Sequence, residues 1–187
     1  MLDATASGVY VIAVTPFLDD GRLDEASTDR MVDFYAGCGA TGLTILGIMG
    51  EAPKLDTAEA IGFAARVVKR AGRMPVIVGV SSPGFAAMRA LAKGAMAAGA
   101  AGVMIAPPGT LRTDDQIATY FAQAVEAIGT DVPFVIQDYP QGSGVVMSVG
   151  TIGRIVEANP SCVMLKAEDW PGLEKITAVR ALMAEKS

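Results

Sequence analysis

A lysine ends an apolar segment near the C-terminal end of the chain. Residues 162–169 read CVMLKAED, so four apolar residues lead directly into Lys166. An amine attacks a carbonyl carbon only when it is unprotonated, so its pKa must fall from about 10.4 through desolvation or nearby positive charge. The resulting imine withdraws electrons from the adjacent carbon and allows a C–C bond to form or break without a metal. The alternative is a solvated lysine, whose charged form Glu168 and Asp169 would stabilise.

The absence of histidine excludes several kinds of catalytic site. The chain has 187 residues, a net charge of −5 and no histidine. It therefore holds no Ser-His-Asp triad, no Cys-His pair and no His-ligated zinc. Proton transfer must come from lysine, tyrosine, carboxylates or the substrate itself. The acidic balance argues against nucleic acid or an anionic membrane as the main partner.

The two cysteines and the N-terminus favour a cytoplasmic protein. Cys38 and Cys162 are far apart in apolar stretches, which predicts two buried free thiols rather than a disulfide. The first residues, MLDATASG, lack the basic region of a secretory signal. The longest uncharged run, residues 94–111, is interrupted by glycines and prolines, so a core segment is favoured over a membrane span.

Short apolar runs alternate with amphipathic segments along the chain. The predicted strands are residues 9–14, 43–46, 76–80, 103–105, 134–136 and 162–165, and the predicted helices are 25–37, 57–71, 85–98, 114–128, 149–158 and 173–184. Strands begin roughly every 30 residues, which is the length of one βαβ repeat. Capping residues such as Asp56, with Glu59 three positions later, mark the helix starts.

Two α/β architectures fit this alternation, a doubly wound open sheet and a (β/α)8 TIM barrel. The segment after the first strand, TPFLDDGRLDEAS, has no glycine-rich phosphate loop of the kind that open sheets usually carry there. The barrel is therefore favoured. Only about six of its eight βα units are present, so we expect residues 1–187 to form a single, apparently truncated barrel domain.

Four motifs in order resemble a known family. The first strand ends in TPF at residues 15–17, and the second is followed by GIMGEAP at residues 47–53. The fifth is followed by YPQGSGV at residues 139–145, and the sixth ends in Lys166. Together they resemble the dihydrodipicolinate synthase/N-acetylneuraminate lyase family of pyruvate-dependent class I aldolases. The resemblance covers the N-terminal three-quarters of the family barrel.

The resemblance implies a carbon-carbon or carbon-oxygen lyase that forms a Schiff base between Lys166 and pyruvate or a related 2-oxo acid, which is then condensed with or cleaved from an aldehyde. No metal or other cofactor is implied. The loop at Gly47, Ile48 and Met49 would hold the carboxylate of the oxo acid. Thr15 would line the floor of the site, although a plain strand-end hydroxyl is the alternative. The family is mostly homotetrameric, so a homo-oligomer (dimer or tetramer) is expected.

The departures from the family pattern lie at the reacting centre. The family's catalytic tyrosine matches Gln137, whose amide cannot transfer protons as a phenol can. Tyr139, two residues later, would point to the same side of an extended strand and supply a hydroxyl, unless it packs at the barrel rim. Ile48 and Met49 replace paired threonines, so only their backbone N–H groups remain as donors.

Two further differences concern the substrate. Gly142 stands where dihydrodipicolinate synthases keep an arginine, and the segment APPGTL after the fourth strand lacks their tyrosines. These losses predict a lyase that is not a true dihydrodipicolinate synthase. The alternative hypothesis is a catalytically inactive barrel retained as a ligand-binding or interaction module. A phosphate-binding barrel is disfavoured, because its phosphate site normally follows strands seven and eight.

Overall fold

The computed structural model describes residues 1–184. Its strands are β1 (Tyr10–Ile12), β2 (Gly42–Ile45), β3 (Val76–Gly79), β4 (Gly102–Ile105), β5 (Phe134–Asp138) and β6 (Cys162–Ala167). Its α-helices are α1 (Glu25–Gly37), α2 (Thr57–Ala71), α3 (Phe85–Ala97), α4 (Asp114–Ile128), α5 (Pro140–Ser143), α6 (Val149–Ala158) and α7 (Leu173–Ala184), with a 3-10 turn at Ala52–Lys54. The alternation of strands and helices is confirmed.

The six strands form one parallel sheet in the order of the chain, β1 to β6. The sheet is curled, because Tyr10 from β1 and Met164 from β6 pack against the same inner cluster, which contains Ile77, Met104 and Val135. The larger apolar cluster lies on the outer face, between the strands and the helices. This is part of a TIM barrel with six of its βα units, as predicted.

Local capping interactions fix where the helices begin. Asp56 accepts a hydrogen bond from the backbone N–H of Glu59, and Glu59 accepts one in return from the N–H of Asp56. Thr113 and Gln116 form the same reciprocal box at α4. Each box satisfies backbone donors that the first helical turn leaves without intrahelical partners. The capped start at Asp56 is therefore confirmed.

Several predicted details were wrong. Strand β1 is shorter than predicted, and Val9 and Val14 outside it are exposed. Strands β5 and β6 run two residues further than predicted, because Gln137 and Asp138 continue the pairing with β6. Both cysteines are free, but Cys38 is exposed at the C-terminal end of α1 rather than buried.

Within residues 1–184, no helix is both long and apolar enough to cross a bilayer.

Candidate active site

Lys166 lies on the inner face of the curled sheet, one residue before the end of β6. Its side chain is 20% exposed. It lines a half-open cavity of about 330 Å³ on the inner side of the sheet, together with Tyr10, Ile12 and Thr44 from the opposite strands. Lys166 therefore faces the inner side of the curled sheet and is mostly shielded from solvent.

A bulge between β5 and β6 places Gln137 beside Lys166. The pairing shifts by one residue after Phe134, which is opposite Cys162, so that Gln137 is opposite Lys166. Without this shift Gln137 would be opposite Leu165, whose side chain packs into the outer cluster. The extra residue, Val163, lies in β6. Because alternate residues of a strand face opposite sides, Gln137 faces inward like Val135, and the bulge brings Lys166 to the same inner face.

Glu168 joins these two side chains. Its Oε1 lies 3.0 Å from the Nζ of Lys166 and accepts a hydrogen bond of 2.8 Å from the Nε2 of Gln137. Its backbone N–H donates to the carbonyl of Asp138 at 2.8 Å, which fixes the start of the turn after β6. From the sequence alone, Glu168 was evident only as a charged neighbour of Lys166. Its position two residues after Lys166 in an extended segment was the available signal that both share a face.

The loop after β2 is compact and conformationally unusual. Leu46 and Glu51 both have positive φ, 54° and 52° respectively, a region that residues other than glycine seldom adopt. The loop also approaches β3 closely, since a Cβ on Gly79 would lie 2.1 Å from the carbonyl oxygen of Leu46. Thr15 ties the loop to the end of β1, because its buried hydroxyl donates to the carbonyl of Gly50 at 2.6 Å.

A second, larger cavity of about 380 Å³ lies beneath this loop. Gly47, Ile48 and Gln137 line it, with Ser81 from the loop after β3. Met104 lines both cavities, so the two are neighbours in the barrel interior. The structure thus brings Gly47, Ile48 and Gln137 around a hollow adjoining that of Lys166.

Two predicted site residues lie at the rim of this hollow. The side chain of Met49 is exposed and lines neither cavity. Tyr139 is half-buried at the start of α5, and its ring covers Gly142, since a Cβ there would lie 2.3 Å from the ring. Ile48 approaches the same glycine. The packing alternative therefore describes the position of Tyr139, while its hydroxyl takes part in no hydrogen bond within residues 1–184.

A buried ion cluster lies on the outer face, behind Gln137. The side chain of Asp138 is 0% exposed, and the Nζ of Lys175 on α7 lies 2.6 Å from its Oδ2 and 3.0 Å from an oxygen of Asp169. Burial raises the pKa of Asp138, and Lys175 offsets part of that rise. The pKa of Asp169 is lowered from its usual value, mainly because Asp169 accepts a hydrogen bond from Lys175. The sequence carried no signal for this cluster.

Comparison with known proteins identifies relatives along nearly the whole chain. The model of the dihydrodipicolinate synthetase family matches residues 5–185. A 4-hydroxy-tetrahydrodipicolinate synthase of Acidiphilium cryptum is 34% identical over 85% of this chain and 54% of its own length. An uncharacterized DapA-like lyase of Rhizobium meliloti is 30% identical over 81% of this chain and 50% of its own length.

A solved structure is more similar still. The crystal structure of dihydrodipicolinate synthase from Rhodopseudomonas palustris superposes with a TM-score of 0.95 and 62% sequence identity, covering 98% of this chain and 61% of that one. The chain thus spans about half to three fifths of the length of these relatives. With six βα units in register and a match over residues 5–185, the chain belongs to the dihydrodipicolinate synthetase family.

Proposed function

We propose that this protein is a Schiff-base-forming lyase in which Lys166 condenses with pyruvate or a related 2-oxo acid. The observation that carries the proposal is the position of Lys166, whose side chain is mostly shielded from solvent on the inner face of the sheet and lines a half-open cavity there. A nucleophilic amine needs such shielding, because desolvation disfavours its protonated form. The imine then activates the adjacent carbon for reaction with an aldehyde, or for the reverse cleavage, and no metal is required.

The residues around the second cavity supply the remaining roles. The backbone at Gly47, Ile48 and Met49 would hold the carboxylate of the oxo acid, since the N–H groups of Ile48 and Met49 donate to no other backbone group within residues 1–184. Gln137 would orient the carbonyl compound through its amide. Thr15 acts indirectly in this scheme, by holding the loop through Gly50.

We further propose that the aldehyde is not the one used by dihydrodipicolinate synthases. Among residues 1–184, no arginine lines the two inner cavities, and Lys54, which lines the larger one, is ion-paired with Glu51. The position that would carry the arginine in such synthases is Gly142, which the Tyr139 ring covers. An aldehyde without a carboxylate of its own fits this lining best.

Borohydride trapping tests the nucleophile. The protein is incubated with pyruvate and borohydride, and the peptide containing Lys166 is examined by mass spectrometry for a stable adduct. We expect an adduct that Lys166→Ala abolishes and that Lys93→Ala, a change to an exposed lysine of α3, retains. Failure to trap any 2-oxo acid on Lys166 would contradict the proposal.

The ion pair between Lys166 and Glu168 favours a second candidate, an inactive barrel that binds a ligand without covalent chemistry. A carboxylate 3.0 Å from the amine stabilises the charged ammonium, which is not nucleophilic. This candidate predicts that ligand affinity survives Lys166→Ala almost unchanged. Calorimetric titration of both forms with pyruvate separates the two candidates.

We also propose the substrates, the cellular location and the oligomeric state of the protein. The partners would be a small 2-oxo acid and an aldehyde, in the cytoplasm, within a homo-oligomer (dimer or tetramer). The net charge of −5 supports the absence of nucleic acid or an anionic membrane as partner. Light scattering coupled to size-exclusion chromatography measures the oligomeric state, and a monomer would refute that part.

A further inference from the structure

Glu168 occupies the place from which a proton can reach the reacting nitrogen. Its Oε1 contacts both Lys166 and Gln137, at 3.0 and 2.8 Å. Gln137 is buried and has no proton that it can gain or lose near neutral pH. Of these two side chains, only the carboxylate of Glu168 can therefore carry a proton.

We propose that Glu168 is a further catalytic residue, the acid–base group that serves Lys166 during imine formation. The proposal rests on the proposed function of Lys166 as the nucleophile. It assigns to Glu168 the proton transfer that Gln137 cannot perform. Gln137 then has a positioning role, because its amide holds Oε1 of Glu168 against the amine.

The backbone supports a fixed position for this carboxylate. The N–H of Glu168 donates to the carbonyl of Asp138, so the backbone of Glu168 continues the hydrogen bonding between β5 and β6. Its side chain is 34% exposed, which leaves a path for exchange of protons with water. Its second oxygen, Oε2, accepts no hydrogen bond from residues 1–184 and stays available to a reacting group.

The proposed proton transfers balance. The carboxylate of Glu168 first takes one proton from the ammonium of Lys166 and leaves a neutral amine. The amine nitrogen attacks the carbonyl carbon of the 2-oxo acid, the C=O π bond opens, and a proton passes from nitrogen to oxygen to give a neutral carbinolamine. The protonated Glu168 then donates to the hydroxyl, the C–O bond breaks, and water leaves. The products are a protonated imine and the original carboxylate.

The same contact could instead inhibit the reaction, by keeping the Lys166 amine protonated in an ion pair. The rate of imine formation distinguishes this inhibition from proton transfer by Glu168. If Glu168 only stabilises the ammonium, its neutralisation removes that stabilisation and speeds imine formation. If Glu168 transfers protons, Glu168→Gln slows the step, because the amide keeps the size of the side chain but carries no titratable proton. General acid–base groups typically contribute at least about 100-fold to rate.

The experiment measures the rate of cyanoborohydride trapping with pyruvate, followed by mass spectrometry of the Lys166 peptide across a range of pH. We expect Glu168→Gln to slow adduct formation by about 100-fold, with the adduct still on Lys166 and with the acidic limb of the pH profile lost. Glu168→Ala should be partly rescued by added formate, which a merely structural role would not produce. Glu174→Gln, an exposed carboxylate in the first turn of α7, should match the wild type.

The outcomes separate the two proposals. An adduct in the wild type that forms equally fast or faster in Glu168→Gln overturns the role of Glu168 and leaves Lys166 as the nucleophile. No adduct in the wild type with any 2-oxo acid overturns both. Circular dichroism of each variant checks folding, and the shorter carboxylate of Glu168→Asp, which should keep a measurable part of the rate, covers the case in which the amide variant does not fold.

Discussion

Removal of the Lys175 ammonium should destabilise the protein more than neutralisation of its buried partner. Lys175 is 13% exposed and contacts Asp138, which is 0% exposed, at 2.6 Å. Neither oxygen of Asp138 has a hydrogen bond of good geometry within residues 1–184, so this ion pair is the main compensation for its buried charge. The Lys175→Met variant would therefore leave a carboxylate inside the protein with no counter-charge in contact.

The expected magnitude follows from the asymmetry of the cluster. Loss of one partner of a buried ion pair costs about 3 kcal/mol or more of unfolding free energy. For a chain of this size, 3 kcal/mol corresponds to a fall in Tm of about 6–12 °C. Asp138→Asn should cost only about 1–2 kcal/mol, because Lys175 keeps Asp169 at 3.0 Å. The double variant should cost less than the sum of the two single variants.

Acidic pH should reduce the difference between Lys175→Met and the wild type. The pKa of Asp138 is raised in the folded protein, so the folded state binds this proton more tightly than the unfolded chain does. Protonation therefore adds stability at low pH, and that stability is lost as the pH rises through the raised pKa. Without Lys175 the pKa rises further, so the carboxylate takes a proton at a higher pH and the deficit shrinks on acidification.

Urea and thermal unfolding, followed by circular dichroism at several pH values, measure these differences. Lys93→Met is the matched control, because Lys93 is exposed on α3 and its replacement should change stability by no more than about 0.5 kcal/mol. If Asp138→Asn proves as damaging as Lys175→Met, or if the deficit of Lys175→Met grows at acidic pH, the electrostatic reasoning is refuted.

Three further predictions concern the loop after β2 and the cysteines. Gly79→Ala should lower the unfolding free energy by about 1–3 kcal/mol and weaken pyruvate binding, because the added Cβ would displace the carbonyl of Leu46. Unchanged pyruvate binding in a titration would refute this. Thr15→Val should cost about 1–3 kcal/mol by leaving a buried loop carbonyl unpaired, whereas Thr15→Ser should keep most of the stability in urea unfolding. Iodoacetamide at pH 8 should label exposed Cys38 well before Cys162, since burial raises the pKa of Cys162 to about 12; equal labelling of the two peptides would contradict this.

The barrel could be predicted from the sequence because its signals are local. Each strand is a short, largely apolar run, the four central strands β2 to β5 are buried throughout, and helix starts carry capping residues such as Thr113. The end of β6 was harder to place, since Lys166 and Ala167 break the apolar run while still pairing with β5. Exposure of Cys38 was also missed, because an apolar neighbourhood in the sequence does not report which face of α1 meets the sheet.

The environment of Lys166 could not be predicted, because it depends on a bulge. Lys166 was identified from its place after an apolar run, but its pairing with Gln137 requires the one-residue shift after Phe134. The extra residue, Val163, lies in β6, so the shift puts Lys166 on the inner face that Gln137 already shares with Val135. Long-range register of this kind leaves no trace in local composition.

The two lysine–carboxylate contacts lie on opposite faces of the same pair of strands, and their surroundings suit them to different roles. On the outer face, Asp138 is fully enclosed, so a change of its charge perturbs the packing of α7 and carries a large energetic penalty. On the inner face, Glu168 contacts Lys166 at 3.0 Å and keeps about a third of its side chain exposed, so its carboxylate can exchange protons with water. An ion pair that anchors a helix must keep both of its groups charged, whereas a group that transfers protons must gain and lose a proton in each reaction cycle. The difference in burial between Asp138 and Glu168 therefore predicts that variants of the first act mainly on stability and variants of the second mainly on rate.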